Sequence, residues 1–162
     1  MNSTPHIVTF TGHRSYNRRY DSIISANVKE LYSIGARRFR VGMAEGFDLA
    51  AACVILDMTN LYHDIELELF IPWPGFAATF KEANRRLYDI IIRQATLVHY
   101  IATDYYVGLF QQRNEAMVDG ADIVIAWWNG KPGGTANTIR YARTLGCRIK
   151  NIFDNQQLEL EL

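Results

Sequence analysis

The chain alternates short apolar runs with longer stretches of helical periodicity, and this alternation limits the fold more than any other feature of the sequence. Six runs rich in β-branched and aromatic residues predict strands, and five stretches between them predict helices. Strands separated by helices are typical of a mainly parallel sheet, because each parallel crossover needs a helix-length connection. The sequence therefore predicts an α/β protein with a doubly wound, mainly parallel sheet and helices on both faces.

The predicted elements follow the order βαβαβαβαβαβ. The strands are predicted at residues 6–11, 38–43, 66–71, 95–101, 121–128 and 148–153. The helices are predicted at residues 21–34, from the turn at 44–48 to about 61, and at 76–94, 109–119 and 136–145. A chain of 162 residues is long enough for one domain with a full core. We therefore expect residues 1–153 to form a single domain and residues 154–162 to form a polar C-terminal tail.

The charges of the chain balance, with 17 Lys and Arg against 17 Asp and Glu, so the formal net charge is zero. A generic nucleic-acid binder carries a basic excess that neutralises phosphates. From this balance we expect nucleic acid to be an unlikely partner.

The sequence also lacks the usual signals for metal binding and for membrane insertion. Cys53 and Cys147 stand outside any CxxC or Cys/His spacing, so no metal site is predicted, and no cofactor is implied. No apolar run is long enough to cross a membrane, and no signal peptide is evident. We expect a cytoplasmic protein with no membrane partner.

A glycine-rich turn follows the fifth predicted strand and opens the fifth predicted helix. It contains Gly130, Gly133, Gly134 and Thr135. Glycines let the backbone approach an anion closely, and the free N–H groups of a helix N-terminus point at that anion. The turn therefore predicts a phosphate-binding loop, with the Thr135 hydroxyl as a further donor. The alternative is a tight strand-to-helix turn in which Thr135 is a plain N-cap.

Polar or glycine-rich turns follow three other strands as well. They lie at residues 11–14, 44–48 and 72–74. Ligands of open parallel sheets bind beyond the carboxyl ends of the strands, where the strand order reverses. Because four turns of this kind share one edge of the predicted sheet, the sequence predicts a nucleotide-type site there.

Taken together, the motifs at residues 11–14, 42–51, 112–119, 122–128 and 133–135 resemble the SLOG superfamily. This is the Rossmann-like group that includes YpsA-like proteins, DprA and the Lonely Guy phosphoribohydrolases, and the chain is most similar to the YpsA-like branch. The resemblance extends over nearly the whole chain, to about Ile152, and it implies a Rossmann-like domain that binds a nucleotide or a nucleotide-derived ligand.

The chain departs from the signature of the Lonely Guy enzymes at the position of a catalytic residue. That signature is PGGxGTxxE, and its last Glu is catalytic in those enzymes. The corresponding stretch here begins at Pro132, is shorter, and has Thr138 where the Glu would stand. A hydroxyl does not replace the carboxylate that N-glycosidic cleavage needs. We therefore expect binding of an ADP-ribose-like or mononucleotide ligand, as a sensor or sequestering protein, without turnover. The alternative is a nucleotide N-glycosidase that uses Glu45 or Asp48.

The candidate ligand-binding residues lie in the turns and in the fourth predicted helix. They are Gly12, His13, Arg14, Ala44, Glu45, Gly46, Asp48, Pro72, Arg113, Asn114, Gly130, Gly133, Gly134 and Thr135. Arg14 is suited to a bidentate grip on phosphate, although it can equally pair with a nearby acid at the surface. His13 either donates to the ligand or caps its turn, and Asp48 either accepts from ribose hydroxyls or caps the second helix.

Arg113 and Asn114 have a similar ambiguity. Their place in the motif implies that they face the pocket, whereas charged helical residues usually face solvent. We also expect a homo-oligomer, because related folds pair through helices and aromatic residues make up 12% of the chain.

Overall fold

The computed structural model describes residues 5–153 as six strands and five α-helices that alternate along the chain. The strands are β1 Ile7–Gly12, β2 Arg38–Val41, β3 Glu66–Ile71, β4 Leu97–Tyr100, β5 Ile123–Trp127 and β6 Arg148–Asn151. The helices are α1 Asp21–Ser33, α2 Phe47–Thr59, α3 Glu82–Gln94, α4 Leu109–Val118 and α5 Gly134–Thr144. The predicted tail at 154–162 lies outside the described residues, and the prediction of a single domain remains a prediction.

All six strands run parallel in one sheet of order β4-β3-β2-β1-β5-β6. The chain adds β2, β3 and β4 on one side of β1, and then crosses to add β5 and β6 on the other side. The strand order therefore reverses between β1 and β5, whose pairing extends to Gly12 opposite Trp127. The fold is the predicted doubly wound, Rossmann-like α/β fold.

Helices cover the sheet in two groups. Helix α2 packs against β1, β2 and β3 and contacts α1 and α3, whereas α4 and α5 pack against each other. Between these layers, β1, β2 and β3 supply wholly buried side chains such as Phe10, Phe39 and Leu69. The edge strand β4 contributes less, because none of its residues is fully buried.

The predicted helix at 76–94 is wrong in its first part. A 3₁₀ turn covers Phe76–Thr79, and α3 begins only at Glu82. Phe80 between them is extended, with φ of −67° and ψ of 152°, and its ring packs edge-on against Phe76 and Tyr88. The Lys81 N–H donates to a Glu45 carboxylate oxygen at 3.3 Å. The break in the helix thus serves aromatic packing and a long-range hydrogen bond that helical periodicity does not reveal.

Among residues 5–153, no helix is long and apolar enough to cross a bilayer.

Candidate functional site

A cavity of about 310 Å³ opens at the carboxyl ends of β1 and β5, where the strand order reverses. Parallel sheets of this kind bind ligands at this position. The lining residues come from β1 and its turn, the start of α2, one face of α4 and the first turn of α5. They are Phe10, Thr11, Gly12, His13, Arg14, Ala44, Asp48, Phe110, Arg113, Asn114, Met117, Gly134, Thr135 and Thr138. We call this space the crevice.

The N-terminus of α5 forms one wall of the crevice. Gly133 precedes the helix with a φ of 144°, and a Cβ placed on Gly133 or Gly134 would meet no atom within 4 Å. The N–H groups of a first helical turn have no acceptor within the helix, and the helix dipole adds positive potential there. Thr135 lies inside this turn, so it is not the N-cap. The wall is thus an open helix N-terminus, and the binding of a phosphate by this glycine-rich turn remains a prediction.

Arg14 lies at the mouth of the crevice. Its side chain is exposed, and within residues 5–153 it forms no ion pair and no side-chain hydrogen bond. It also lines a second cavity of about 480 Å³. Of the two sequence interpretations of Arg14, the surface pair with an acid is therefore absent from the described structure. A free guanidinium remains, and it can make a bidentate contact with phosphate.

Asp48 is a buried carboxylate on the floor of the crevice. One of its oxygens, Oδ2, accepts the Ala44 N–H at 3.1 Å, across the turn that leads into α2. Gly46, not Asp48, is the N-cap of α2. Burial raises the pKa of Asp48 to about 6, and the nearby guanidinium groups of Arg113 and Arg14 oppose that rise. Asp48 therefore presents a buried carboxyl group to the crevice, and its role toward ribose hydroxyls remains a prediction.

The raised pKa of Asp48 predicts how stability depends on pH. The folded protein binds the proton of Asp48 more tightly than the unfolded chain does, so the protonated carboxyl group contributes to stability. This contribution is fully present below about pH 4 and is lost as pH rises from about 4 through about 6. Between pH 5 and 7 we expect a loss on the order of 1 kcal/mol from this group. Urea unfolding of the wild type and of Asp48→Asn at both pH values measures it. If the difference in free energy of unfolding between the wild type and Asp48→Asn is the same at both pH values, the raised pKa of Asp48 is refuted.

Arg113 also lines the crevice, but the protein itself uses much of its guanidinium. One nitrogen, Nη1, donates to the carbonyl oxygens of Gly42 and Phe70, the latter at 3.3 Å, and Nε donates to Asn114 Oδ1 at 2.8 Å. Burial lowers the pKa of Arg113 to about 10, and Asp48 opposes this shift. Arg113 therefore ties α4 to the ends of β2 and β3, and it places positive charge beside Asp48.

His13 joins two of the turns that surround the crevice. Its Nε2 accepts the Asn129 N–H at 3.0 Å, so this nitrogen carries no proton, and burial lowers the pKa of the ring. Its carbonyl oxygen accepts the Phe47 N–H at 3.2 Å, at the start of α2. His13 thus holds the β1 turn to both α2 and the loop after β5. This use fits the turn-fixing alternative better than donation from Nε2 to a ligand.

Two of the predicted site glycines are required by close packing within the protein. A Cβ on Gly12 would lie 2.4 Å from the Phe47 ring, and a Cβ on Gly46 would lie 2.4 Å from the Arg14 carbonyl oxygen. Gly46 also has a φ of 85°, which residues with a side chain rarely adopt. The close approaches at these glycines hold the β1 turn against the start of α2, and both of these segments line the crevice.

Four other predicted residues lie outside the lining of the crevice. Glu45 lines the second cavity, where its Oε2 accepts from Asn84 Nδ2 at 2.5 Å. Pro72 is buried and accepts the Ala102 N–H, and Gly130 is exposed in the loop after β5. Gly133 adjoins the lining as the N-cap of α5. Of the two candidate catalytic carboxylates, only Asp48 therefore lines the crevice.

Several residues that line the crevice are absent from the candidates predicted from the sequence, among them Phe110 and Met117 on α4. With Arg113 and Asn114 they occupy positions i, i+3, i+4 and i+7, which is one face of a helix. That spacing is a usable signal once Arg113 is assigned to the site. Thr138 also lines the crevice, and its hydroxyl donates to the Gly134 carbonyl at 2.9 Å. Across residues 5–153, no group of three or more His, Cys, Asp or Glu is placed to hold a metal ion.

The fold and the crevice define a Rossmann-like α/β protein with a cavity at the strand-order reversal. The chain belongs to the YspA SLOG family, whose model matches residues 8–157. A UPF0398 protein of Bacillus cereus (strain B4264) is 30% identical over 104 residues, or 62% of this chain and 56% of the relative. A UPF0398 protein of Bacillus thuringiensis (strain Al Hakam) is 29% identical over a match of the same length. The match thus spans little more than half of the length of these curated relatives.

Two solved structures share the fold. DNA processing protein A (DprA) of Streptococcus pneumoniae superposes with a TM-score of 0.64 and 19% identity, over 89% of this chain and 49% of that one. DNA processing protein A of Helicobacter pylori, whose structure is described for its single-stranded DNA binding mode, has a TM-score of 0.64 and 20% identity. That match covers 98% of this chain and 74% of the H. pylori protein.

These neighbours correct the expectation about nucleic acid. A protein that shares this fold binds single-stranded DNA, so the conclusion from charge balance that nucleic acid is an unlikely partner is wrong. The physical reason is that net charge describes the whole molecule, whereas phosphate contacts depend on the local placement of Arg and Lys. Here Arg14, Arg18 and Lys81 line one cavity although the total charge is zero.

Proposed function

We propose that the crevice binds a nucleotide or a nucleotide-derived ligand of the ADP-ribose type and does not turn it over. The single observation that carries the proposal is that Arg14, which has no ion pair in the described chain, and the open N-terminus of α5 line the same cavity. Both are suited to a phosphate group. The buried Asp48 is suited to the ribose hydroxyls of the same ligand.

Binding without turnover is supported by the positions of the carboxylates. Thr138 occupies the place of the signature Glu, and its hydroxyl donates within α5. Glu45 lies in the second cavity, with Oε2 bonded to Asn84 and to the Lys81 N–H. Among the described residues, Asp48 is the one carboxylate in the crevice lining. A protein that holds a nucleotide intact acts as a sensor or a sequestering protein, and homo-oligomerisation through its helices remains part of this proposal.

The Arg14→Ala variant tests the proposal by titration calorimetry with AMP and ADP-ribose. We expect the Kd to rise about 10- to 100-fold, because hydrogen bonds to charged groups contribute about 1.5–3 kcal/mol. Since Arg14 is exposed and has no ion pair within the described chain, its removal should change the free energy of unfolding by no more than about 0.5 kcal/mol.

The matched control is Arg19→Ala, which removes a neighbouring exposed arginine that lines neither cavity. It should bind both ligands as the wild type does. Equal affinities for the Arg14→Ala protein and the wild type would contradict the proposal. Release of free base during the titration would instead support the N-glycosidase.

A further inference from the structure

We infer that the ligand of the crevice carries a second phosphate-linked unit, which lies in the second cavity that Arg14 lines. We call this cavity the annex; its lining is Arg14, Ser15, Tyr16, Asn17, Arg18, Glu45, Gly46, Leu49, Ala50, Lys81, Asn84 and Leu87. The inference rests on the proposed function, because it concerns how far the ligand extends beyond the crevice.

The two cavities are adjacent parts of one surface. Arg14 lines both, and the annex continues along the same turn before α2 that supplies Ala44 to the crevice. The crevice, at about 310 Å³, lies at the small end of the range for ligand pockets, roughly 300–1,000 Å³. The annex, at about 480 Å³, adds space comparable to the crevice itself. A ligand that reaches Arg14 from the crevice therefore meets a second cavity at once.

The charges of the annex favour an anionic group. Three cationic side chains line it against one acidic side chain, Glu45. Glu45 already accepts from Asn84 and from the Lys81 N–H, and Arg18 is paired with Asp21 at 2.8 Å. In the described part of the chain, the Lys81 ammonium group has neither an ion pair nor a side-chain hydrogen bond. Arg14 and Lys81 are thus the two cations left for a ligand.

A ligand with two units joined through phosphate could contact Arg14 with its linking phosphate and Lys81 with its second unit. A linking phosphate at Arg14 stands at the junction of the cavities, and a further anionic or hydroxyl-bearing unit reaches Lys81. The amide and hydroxyl groups of Asn17 and Ser15 offer hydrogen bonds to a sugar on the same side. The ligand class is therefore a compound of two units joined through phosphate, either by a phosphodiester, as in a dinucleotide, or by a pyrophosphate, as in ADP-ribose.

The test compares AMP, 5′-phosphorylated diadenylate and ADP-ribose by titration calorimetry with the wild type and Lys81→Glu. For the wild type we expect at least one two-unit ligand to bind with a Kd about tenfold lower than that of AMP. One additional hydrogen bond to a charged group lowers Kd by about that factor. In Lys81→Glu that advantage should disappear, while the affinity for AMP stays within about twofold of the wild type. The ligand that shows the gain identifies the linkage.

Lys29→Glu is the matched control, because it reverses an exposed lysine on α1 that lines neither cavity. It should retain the tenfold gain. If AMP binds and neither two-unit ligand binds more tightly, or if Lys81→Glu keeps the gain, the annex inference is overturned while the proposed function stands. If none of the three compounds binds, both are overturned.

Discussion

Replacing Arg113 by alanine should lower the free energy of unfolding by about 3–5 kcal/mol. Both Arg113 and Asp48 are buried and interact electrostatically, although no direct ion pair joins them in the described structure, so removing one leaves the other charge uncompensated. The loss has two sources. The carbonyl oxygens of Gly42 and Phe70 lose their donor, and the buried Asp48 loses its strongest neighbouring cation. A Cβ on Gly42 would lie 3.0 Å from Arg113 Nη1 and 3.1 Å from Asp48 Oδ2, so both charged groups meet at this glycine.

A double-mutant cycle with Asp48→Asn separates these two sources. If the charges of Arg113 and Asp48 are coupled, the double variant will be more stable than the sum of the single losses predicts, by about 0.5–3 kcal/mol. Urea unfolding at pH 7 measures all four proteins. In Arg113→Ala we also expect the pKa of Asp48 to rise above about 6, as carbon NMR of the carboxyl group would record. Strict additivity together with an unchanged Asp48 titration would refute the coupling.

Replacing Gly46 by alanine should cost about 2–5 kcal/mol, because a positive φ costs a residue with a side chain about 1–2 kcal/mol and overpacking adds about 1–3 kcal/mol. The new Cβ would lie 2.4 Å from the Arg14 carbonyl oxygen and 2.6 Å from its carbonyl carbon. These atoms belong to the backbone, so the turn after β1 has to move. We therefore expect ligand binding to weaken together with stability, since the same turn carries the Arg14 side chain.

Gly120→Ala is the control for Gly46→Ala, because Gly120 has a similar φ of 77° but a Cβ added there would meet no atom within 4 Å. It should cost only the conformational penalty of a positive φ, about 1–2 kcal/mol. Thermal or urea unfolding of both variants gives the comparison. Equal losses would mean that the approach of Arg14 to Gly46 does not constrain the turn.

The strand pattern carries most of the information about the fold. All six strands lie within the predicted runs or within one residue of them. The central strand β5 is a continuous apolar run, as a strand buried on both faces should be, whereas β2 and the first part of β3 alternate charged and apolar residues. Helix α5 begins at Gly134, two residues before its predicted start, because the glycine-rich turn already belongs to the helix and its cap. The predicted start of α3 is wrong because the rings that contact Phe80, Phe76 and Tyr88, lie at spacings that a continuous helix would also show. The extended backbone at Phe80 and the hydrogen bond from the Lys81 N–H to Glu45 leave no periodic signal.

The site is less accessible to sequence reasoning. Glycines and polar residues predict the turns after β1 and β2 and the start of α5, and nine of the fourteen candidates line the crevice, whereas Glu45 and Pro72 do not. What each residue contacts depends on the tertiary structure. The donation of Arg113 to two distant carbonyls and the bond from the Asn129 N–H to His13 leave no local pattern. Net charge fails as a guide to partners because it does not show that Arg14 and Lys81 line the same cavity.

The most direct test of nucleotide binding is to incubate the purified protein with AMP, NAD, ADP-ribose and cyclic ADP-ribose, and then to filter it. Chromatography of the filtrate, and of what the retained protein releases on heating, measures both binding and turnover. The account predicts that at least one compound is depleted from the filtrate and recovered intact after heating. Free base with ribose phosphate in the filtrate would contradict binding without turnover, and no depletion of any compound would contradict the nucleotide site itself.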